Sequence, residues 1–544
     1  MRRFTALYLA LDASTRTNAK VAALVAYFRA AAPHDAAWAA YFLTGRKLKR
    51  VVGTRDLVAA ALASSGLPPW LFDASYDAVG DLAETIALVL PPPTRADDRS
   101  LAQWIEDEIA PLAGLDAAQV QARLRAAWDR LDRDARFVFG KLLTGAFRVG
   151  AARQLVHRAL AEAAGVPVAD VAHRLIGEWA PSPAFFDWLR GAGVTLAAPA
   201  HRPYPFFLAH ALEDAPATLG PIDDYQAEWK WDGIRAQLVV RRDGASVWSR
   251  GEDLVSGSFP ELAAAAHALP VGTVVDGEIL AWQDDADAPL PFAALQQRLN
   301  RKNPAARMLR DVPVVLLAYD LLEDAGEDIR ALPLAQRRRR LEALLPHPPT
   351  LRLSPRLVTP DWTSVAAERA RARELRAEGV MLKRLDAAYG VGRVRGPWWK
   401  WKVDPYAIDA VMVYAQAGHG RRASLFTDYT FAVWNDAGEL VPFAKAYSGL
   451  TDAEIREVDA WVRRHTLERF GPVRRVEPVL VFELAFEGLQ LSKRHKSGVA
   501  TRFPRIARWR KDKPAAEADT LATLQALARR HAGESGIIRP ATGA

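Results

Sequence analysis

The chain has 544 residues, 25% of them charged and 50% hydrophobic, and a formal net charge of +8. At about 150 residues per domain this predicts three or four domains, and the composition excludes global disorder. It contains no cysteine, which excludes disulfides, Cys-ligated zinc, iron–sulfur clusters and thiol nucleophiles.

The longest apolar runs fall short of the ~20 residues of a membrane span, so no membrane association is expected. The N-terminal MRRFTALYLALDAST lacks a small-residue cleavage site and carries Asp12, against a secretory signal. A cytoplasmic protein is expected. The charge is uneven: net +3 over residues 1–200, zero over 201–400 and +5 over 401–544. A basic surface attracts polyanions, although the same excess also serves solubility.

In chain order, residues 1–200 repeat apolar residues three and four apart, as in VAALVAYFRAA and AAQVQARLRAAWDRL. This predicts an all-helical domain. Pro181, Pro183, Pro199, Pro203 and Pro205 then mark a linker. From about residue 224, QAEWKWDGIRAQLVVRRDGASVWSR alternates apolar and polar residues around Asp243-Gly244, predicting a hairpin. VGTVVDGEILAW, VPVVLLAYDLL and GVMLKRL read as strands, with helices FPELAAAAHAL, PLAQRRRRLEALL and SVAAERARARELRAEG between them. Residues 201–404 are therefore an α+β domain, and Arg337–Arg340 reads as a solvated helix face. After Pro405, four strand patterns and the helix TDAEIREVDAWVRRHTL suit a small β-barrel of the OB type over 405–530, with 531–544 a flexible tail.

The chemistry centres on Glu228-Trp229-Lys230-Trp231-Asp232-Gly233-Ile234-Arg235. A lysine is a nucleophile only when neutral, and its unperturbed pKa is about 10.4. Partial burial and neighbouring cations lower that value, and Arg235, Arg250, Lys383, Lys400 and Lys402 all fall in or beside predicted strands. Glu278 lies in a strand pattern and Glu378 before one. Lys400 and Lys402, at strand spacing, share a face. Two carboxylates and two lysines beside a nucleophilic lysine describe a metal-assisted phosphoryl site: the carboxylates would hold Mg²⁺ and the lysines would neutralise phosphate oxygens. Each feature alone is equally the mark of a solvated strand edge.

Taken together, Lys230-X-Asp232-Gly233-X-Arg235, Ser249-Arg250, Asp276-Gly277-Glu278, Tyr319-Asp320, Glu378-Gly379-Val380-Met381-Leu382-Lys383, Trp399-Lys400-Trp401-Lys402 and Arg502-Phe503-Pro504-Arg505 closely resemble the motifs of the ATP-dependent DNA ligases, in order and approximate spacing. The resemblance spans roughly 220–515. The helical third also resembles the DNA-binding domain of the larger ligases, where Gly145-Ala146-Phe147-Arg148-Val149-Gly150 is similar to a Gly-X-X-Arg-X-Gly turn on the DNA backbone. Ala146 stands where the family often has a second arginine.

The resemblance implies a helical DNA-binding domain (1–200), an ATP-grasp-like nucleotidyltransferase domain (201–404) and an OB-fold domain. The implied cofactors are ATP with Mg²⁺ or Mn²⁺, and the implied partner is nicked double-stranded DNA; a monomer is the default. The implied place is the cytoplasm, with the nucleoid.

Lys230 would form lysyl-AMP, pass AMP to a 5′-phosphate and leave the 3′-hydroxyl to seal the strand. Glu228 would recognise the adenine amino group and Tyr319 would stack on the base. Arg235 and Arg250 would contact ribose or phosphates, and Arg395, with Arg393 competing, the nucleotide. Glu278 would bind ribose or metal and Glu378 metal, and Lys400 and Lys402 the α-phosphate. Arg502, Arg505, Lys511 and Lys513 would orient pyrophosphate, with Asp404 and Pro405 as the hinge. Gly145, Arg148 and Gly150 would contact DNA. RNA ligases and mRNA-capping guanylyltransferases share the Lys-X-Asp-Gly lysine, and a DNA-binding scaffold without catalysis is a rival of another class. The NAD-dependent ligases are disfavoured, because their zinc module needs four cysteines.

Overall fold

The computed structural model describes residues 1–534 apart from 50, 146, 148, 193–200, 285, 300, 346–348 and 419–424. Its contacts define two compact units, one formed by Met1–Ala164, Pro181–Asp187 and Pro405–Ala532, the other by Gly165–Ala180 and Trp188–Asp404. Among the described residues no single helix is long and apolar enough to cross a membrane.

In the first unit the N-terminal third is helical. The helices used below are α1 (Arg2–Ala13), α2 (Thr17–Ala30), α3 (Pro33–Leu43), α4 (Arg133–Thr144) and α5 (Arg153–Ala164). The three- and four-residue spacing puts Val21, Leu24, Val25 and Phe28 of α2 in the core. Asp132 caps α4 by accepting from the Ala135 N–H at 2.8 Å, and Gly145 ends it in a left-handed conformation (φ 65°).

The second unit holds two large sheets and a two-stranded pair of Phe207–Leu208 with Gly392–Arg393. Its strands are β1 (Tyr225–Trp231), β2 (Ile234–Arg241), β3 (Gly244–Ser249), β4 (Thr273–Ala281), β5 (Val314–Asp324), β6 (Ala377–Arg384) and β7 (Trp398–Lys402). One sheet runs His210–Ala211, β7, β6, β1, and the other β3, β2, β4, β5. The expected hairpin is β2–β3, with Arg241 opposite Gly244. Alternation sends Ala236, Leu238 and Val240 of β2 into a core with Val275, Ile279 and Leu316. Each fully buried leucine, valine or isoleucine among these stabilises by about 1.5–3 kcal/mol. Helix α6 (Leu334–Leu344) adds Leu341 to that core.

The solvated face expected for Arg337–Arg340 is corrected at two positions. Arg337 is fully buried and pairs with Asp320 through two hydrogen bonds of 2.8 and 2.9 Å. Arg338, also buried, donates to the Ser354 carbonyl at 2.7 Å. A run of four arginines spans more than one turn, so the charges cannot all share one face.

The C-terminal part of the first unit is strand-rich: β8 (Tyr406–Ala417), β9 (Phe426–Trp434), β10 (Leu440–Ala446), helix α7 (Asp452–Arg464), β11 (Thr466–Phe470), β12 (Val473–Val476), β13 (Val481–Phe486), β14 (Gly488–Leu491), β15 (Val499–Arg502) and β16 (Arg505–Trp509). Its main sheet runs β10-β9-β8-β12-β11, with β13 joining β8 to β16. Among the described residues no pairing joins the ends of this sheet. A capping box between Thr451 and Glu454 starts α7. The basic segment 502–513 begins within the strands: Arg502 ends β15 and Arg505 opens β16, which pairs with β13.

Candidate active site

Residues two apart on a strand share a face, so Gln226, Glu228 and Lys230 of β1 form one row, while Ala227, Trp229 and Trp231 pack into an apolar cluster with Val380, Leu382 and Trp399. Register aligns neighbours with that row. Met381 of β6 lies between Glu228 and Lys400, and Lys383 between Gln226 and Trp398.

Between Ala377, which faces Trp231, and Val380, which faces Trp229, the register shifts. Two residues, Glu378 and Gly379, therefore oppose Lys230. This β-bulge re-aims a side chain: the Glu378 Oε2 lies 2.5 Å from Lys230 Nζ and 3.3 Å from Lys402 Nζ. Gly379 takes φ +140°, and a Cβ there would overlap the Trp401 carbonyl oxygen, so the bulge requires glycine. Gly233, where β1 turns into β2, is equally confined: a Cβ would overlap the Ile279 carbonyl oxygen.

Lys400 and Lys402, among the cations expected around Lys230, lie beside it and Glu378. Burial lowers Lys400 below the ordinary lysine value, and Arg393, Lys402 and Lys230 push it the same way. Arg393 is thus the arginine electrostatically coupled to Lys400, whereas Arg395 lies over the Trp399 ring at 5.7 Å.

Glu278 stands opposite Arg235 in the β2–β4 ladder. Burial pushes its carboxyl up to about 8, Lys230 and Arg235 pull it down, and Glu378 pushes it up again. Two mutually repelling carboxylates with hard oxygen donors suit a divalent cation such as Mg²⁺, which takes one or two protein carboxylates and completes its shell with water and substrate phosphate. Among the described residues no group of three or more acidic or histidine side chains forms a ready-made cage.

Arg235 is held from within. It donates to Asp276 at 2.7 and 3.2 Å and to the Phe207 carbonyl at 2.6 Å. Asp276, fully buried, also accepts from the Tyr389 hydroxyl at 2.7 Å and the Tyr319 hydroxyl at 3.4 Å. Burial holds both phenols well above their ordinary value. Arg250 is exposed, its backbone N–H donating to the Arg235 carbonyl. Glu228 is buried against Lys383, at 2.9 Å. Sequence reading missed Asp276 as the partner of Arg235, and Tyr389 altogether. The first carried a signal, being the acid of the Asp-Gly-Glu triplet, two residues before Glu278 and hence on its face.

In the first unit, Gly145 and Gly150 both have positive φ (65° and 59°). The turn they bound is pinned by Phe147, stacked on Phe4 at 5.5 Å and edge-on to Tyr8 at 5.0 Å, and by buried Lys20, which donates to the Gly150 carbonyl at 2.8 Å. Arg148 lies outside the described residues. The cations of the last motif meet carboxylates of their own unit. Lys513 pairs with Asp409 at 2.8 Å and Lys511 with Glu457 at 2.7 Å. Arg502 lies over the ring of exposed Phe503 at 5.3 Å.

A lysine, a re-aimed carboxylate and further cations between strands, on an α+β scaffold, define a nucleotidyltransferase. Three family models match the chain: DNA ligase N terminus over residues 1–161, ATP dependent DNA ligase domain over 206–402, and ATP dependent DNA ligase C terminal region over 422–513. A "Probable DNA ligase" from Koribacter versatilis is 33% identical over 96% of this chain and 95% of its own length. A "DNA ligase" from Halobacterium salinarum is 33% identical over 73% of this chain and 71% of its own. The solved structure "Pmar-Lig_PreS3" shares the fold, with a TM-score of 0.56 over 93% of this chain and 99% of its own at 14% identity. The chain belongs to the ATP-dependent DNA ligases.

Proposed function

We propose that this protein seals nicks in double-stranded DNA in three displacements at phosphorus. The neutral Lys230 amine attacks the α-phosphorus of ATP. A nitrogen–phosphorus bond forms, the amine gives up a proton, the bond to the bridging oxygen breaks and pyrophosphate leaves. An oxygen of the 5′-phosphate at the nick then attacks the same phosphorus, and the lysine nitrogen takes up a proton and leaves as the amine. Finally the 3′-hydroxyl attacks the 5′-phosphate, loses its proton and expels AMP. Such displacements need positioning and charge neutralisation more than other protein chemistry.

The observation that carries this reading is the contact of Lys230 with Glu378 beside Lys402 on the face shared with Lys400. Lys400 and Lys402 neutralise α-phosphate oxygens. Glu278 and Glu378 would hold Mg²⁺ or Mn²⁺, which would supply positive charge against the phosphate oxygens. Glu228 and Tyr319 meet the adenine, Arg250 and Arg393 or Arg395 the sugar and phosphates, and Arg235 orders the pocket wall. Arg502, Arg505, Lys511 and Lys513 orient pyrophosphate. The hinge at Asp404 and Pro405 is supported by the unit boundary between those two residues. The Gly145–Gly150 turn grips the DNA backbone, the strand-rich domain is an OB fold, and the protein acts as a cytoplasmic monomer on the nucleoid.

The test is incubation of the protein with ATP and Mg²⁺, read by intact mass. The wild type gains one AMP, Lys230→Ala gains none, and GTP does not substitute. Wild-type protein that stays unmodified supports a scaffold without catalysis instead.

A further inference from the structure

Lys383 is a buried cation that the three displacements leave unused. It is 1% exposed, as is Glu228, and its Nζ donates to Glu228 Oε2 at 2.9 Å. The same ammonium lies 4.1 Å from the centre of the Tyr319 ring and 4.6 Å from that of Trp398. Taking both charges from water is costly, and well-packed apolar residues of similar volume commonly stabilise as much or more. Stability alone therefore accounts poorly for this pair.

Two polar atoms nearby are also unsatisfied. Gln226 donates to Glu228 Oε1 while its own Oε1 is buried without a partner. Arg338 Nη1, 4.0 Å from Glu228 Oε1, is likewise buried without one among the described residues. An unpaired acceptor and an unpaired donor flanking a carboxylate complement an aminopurine edge, which offers N–H at its exocyclic amine and a lone pair at a ring nitrogen. Because Glu228 is the next residue inward from Lys230 on the same strand face, a nucleotide whose phosphate meets Lys230 directs its base toward this cluster.

We infer that Lys383 is a positioning residue for base selection: it pairs with Glu228 and supports the Tyr319 ring, so that Glu228, with Gln226 and Arg338, reads the 6-amino edge of the base. This rests on the reading that Glu228 and Tyr319 meet adenine.

The experiment measures single-turnover self-adenylation of the full chain at sub-saturating ATP and at sub-saturating purine riboside triphosphate, which lacks the 6-amino group. The wild type prefers ATP by about a hundredfold or more, because a site built to bond an N–H rejects an analogue without it. Lys383→Met reduces that preference at least tenfold, and Lys383→Arg retains most of it. Should Lys383→Met fail to fold, Lys383→Gln, which keeps a donor toward Glu228 without the charge, carries the same comparison. A merely structural lysine lowers both rates together, so an unchanged ratio in a folded, adenylating variant overturns the inference. A wild type that forms no adduct with either nucleotide overturns instead the reading on which it rests.

Discussion

At the scale of single residues, strand periodicity places Lys400 and Lys402 on one face and Glu228 and Lys230 on another, while the resemblance to the ligase motifs is what joins the two pairs into one site. What the sequence conceals is which charges cancel. Arg235 reads as a ligand of the nucleotide, yet its guanidinium is bound by buried Asp276, and that pairing depends on the β2–β4 register, where Gln237 faces Asp276 and Arg235 faces Glu278. Removing one member of a buried pair leaves an uncompensated charge, at a cost of about 3–5 kcal/mol. Asp276→Ala is therefore expected to lower unfolding stability by that amount in urea titration. Tyr389→Phe, which removes the hydrogen bond donated to Asp276 and those the hydroxyl accepts from Arg235, Gln237 and the Phe207 N–H but leaves the ion pair, is expected to cost about 1–3 kcal/mol. An Asp276→Ala protein as stable as the wild type would mean that water or another acceptor satisfies Arg235 in its place.

At the scale of elements, the alternating strands of the second unit and the helices between them are readable from period and turn residues. The bulge is not, because it is a mismatch between two strands and neither strand alone carries the count. The hairpin β11–β12 was hidden for another reason. Its sequence, TLERFGPVRRV, alternates charge rather than hydrophobicity and follows directly on an amphipathic helix. The bulge makes a sharp prediction. Gly379→Ala must leave φ +140° or displace the Trp401 carbonyl, and such backbone strain costs about 1–3 kcal/mol. Either relief moves Glu378 from its place against Lys230. Misplacement by about 1 Å commonly lowers rate a hundredfold, so self-adenylation is expected to fall at least tenfold while the variant remains folded by circular dichroism. A Gly379→Ala enzyme adenylated at the wild-type rate would show that the bulge has no part in setting the site.

At the scale of the whole molecule, the charge pattern and the chemistry divide between different parts of the chain. The neutral middle, 201–400, holds the nucleophile, and the net positive charge lies before and after it. Part of that charge is internally compensated: Arg508 is paired with Glu483, Arg510 with Asp409 and Asp512, Lys511 with Glu457 and Lys513 with Asp409. Phosphates must therefore compete with carboxylates for these side chains, which favours binding at low ionic strength and weakens it steeply as salt rises. Each phosphate neutralised on duplex DNA contributes about −0.9 to the slope of log affinity against log salt. A surface using even three or four of the basic side chains outside the catalytic site gives a slope of about −3, a loss of roughly sixtyfold between 50 and 200 mM salt. Contacts to phosphate and sugar carry no base information, so nicked duplexes of different sequence should share one curve. Fluorescence anisotropy with labelled nicked DNA at four or five salt concentrations measures both. A slope near zero, or curves that separate by sequence, would mean that the basic flanks serve solubility and that something other than the backbone is gripped.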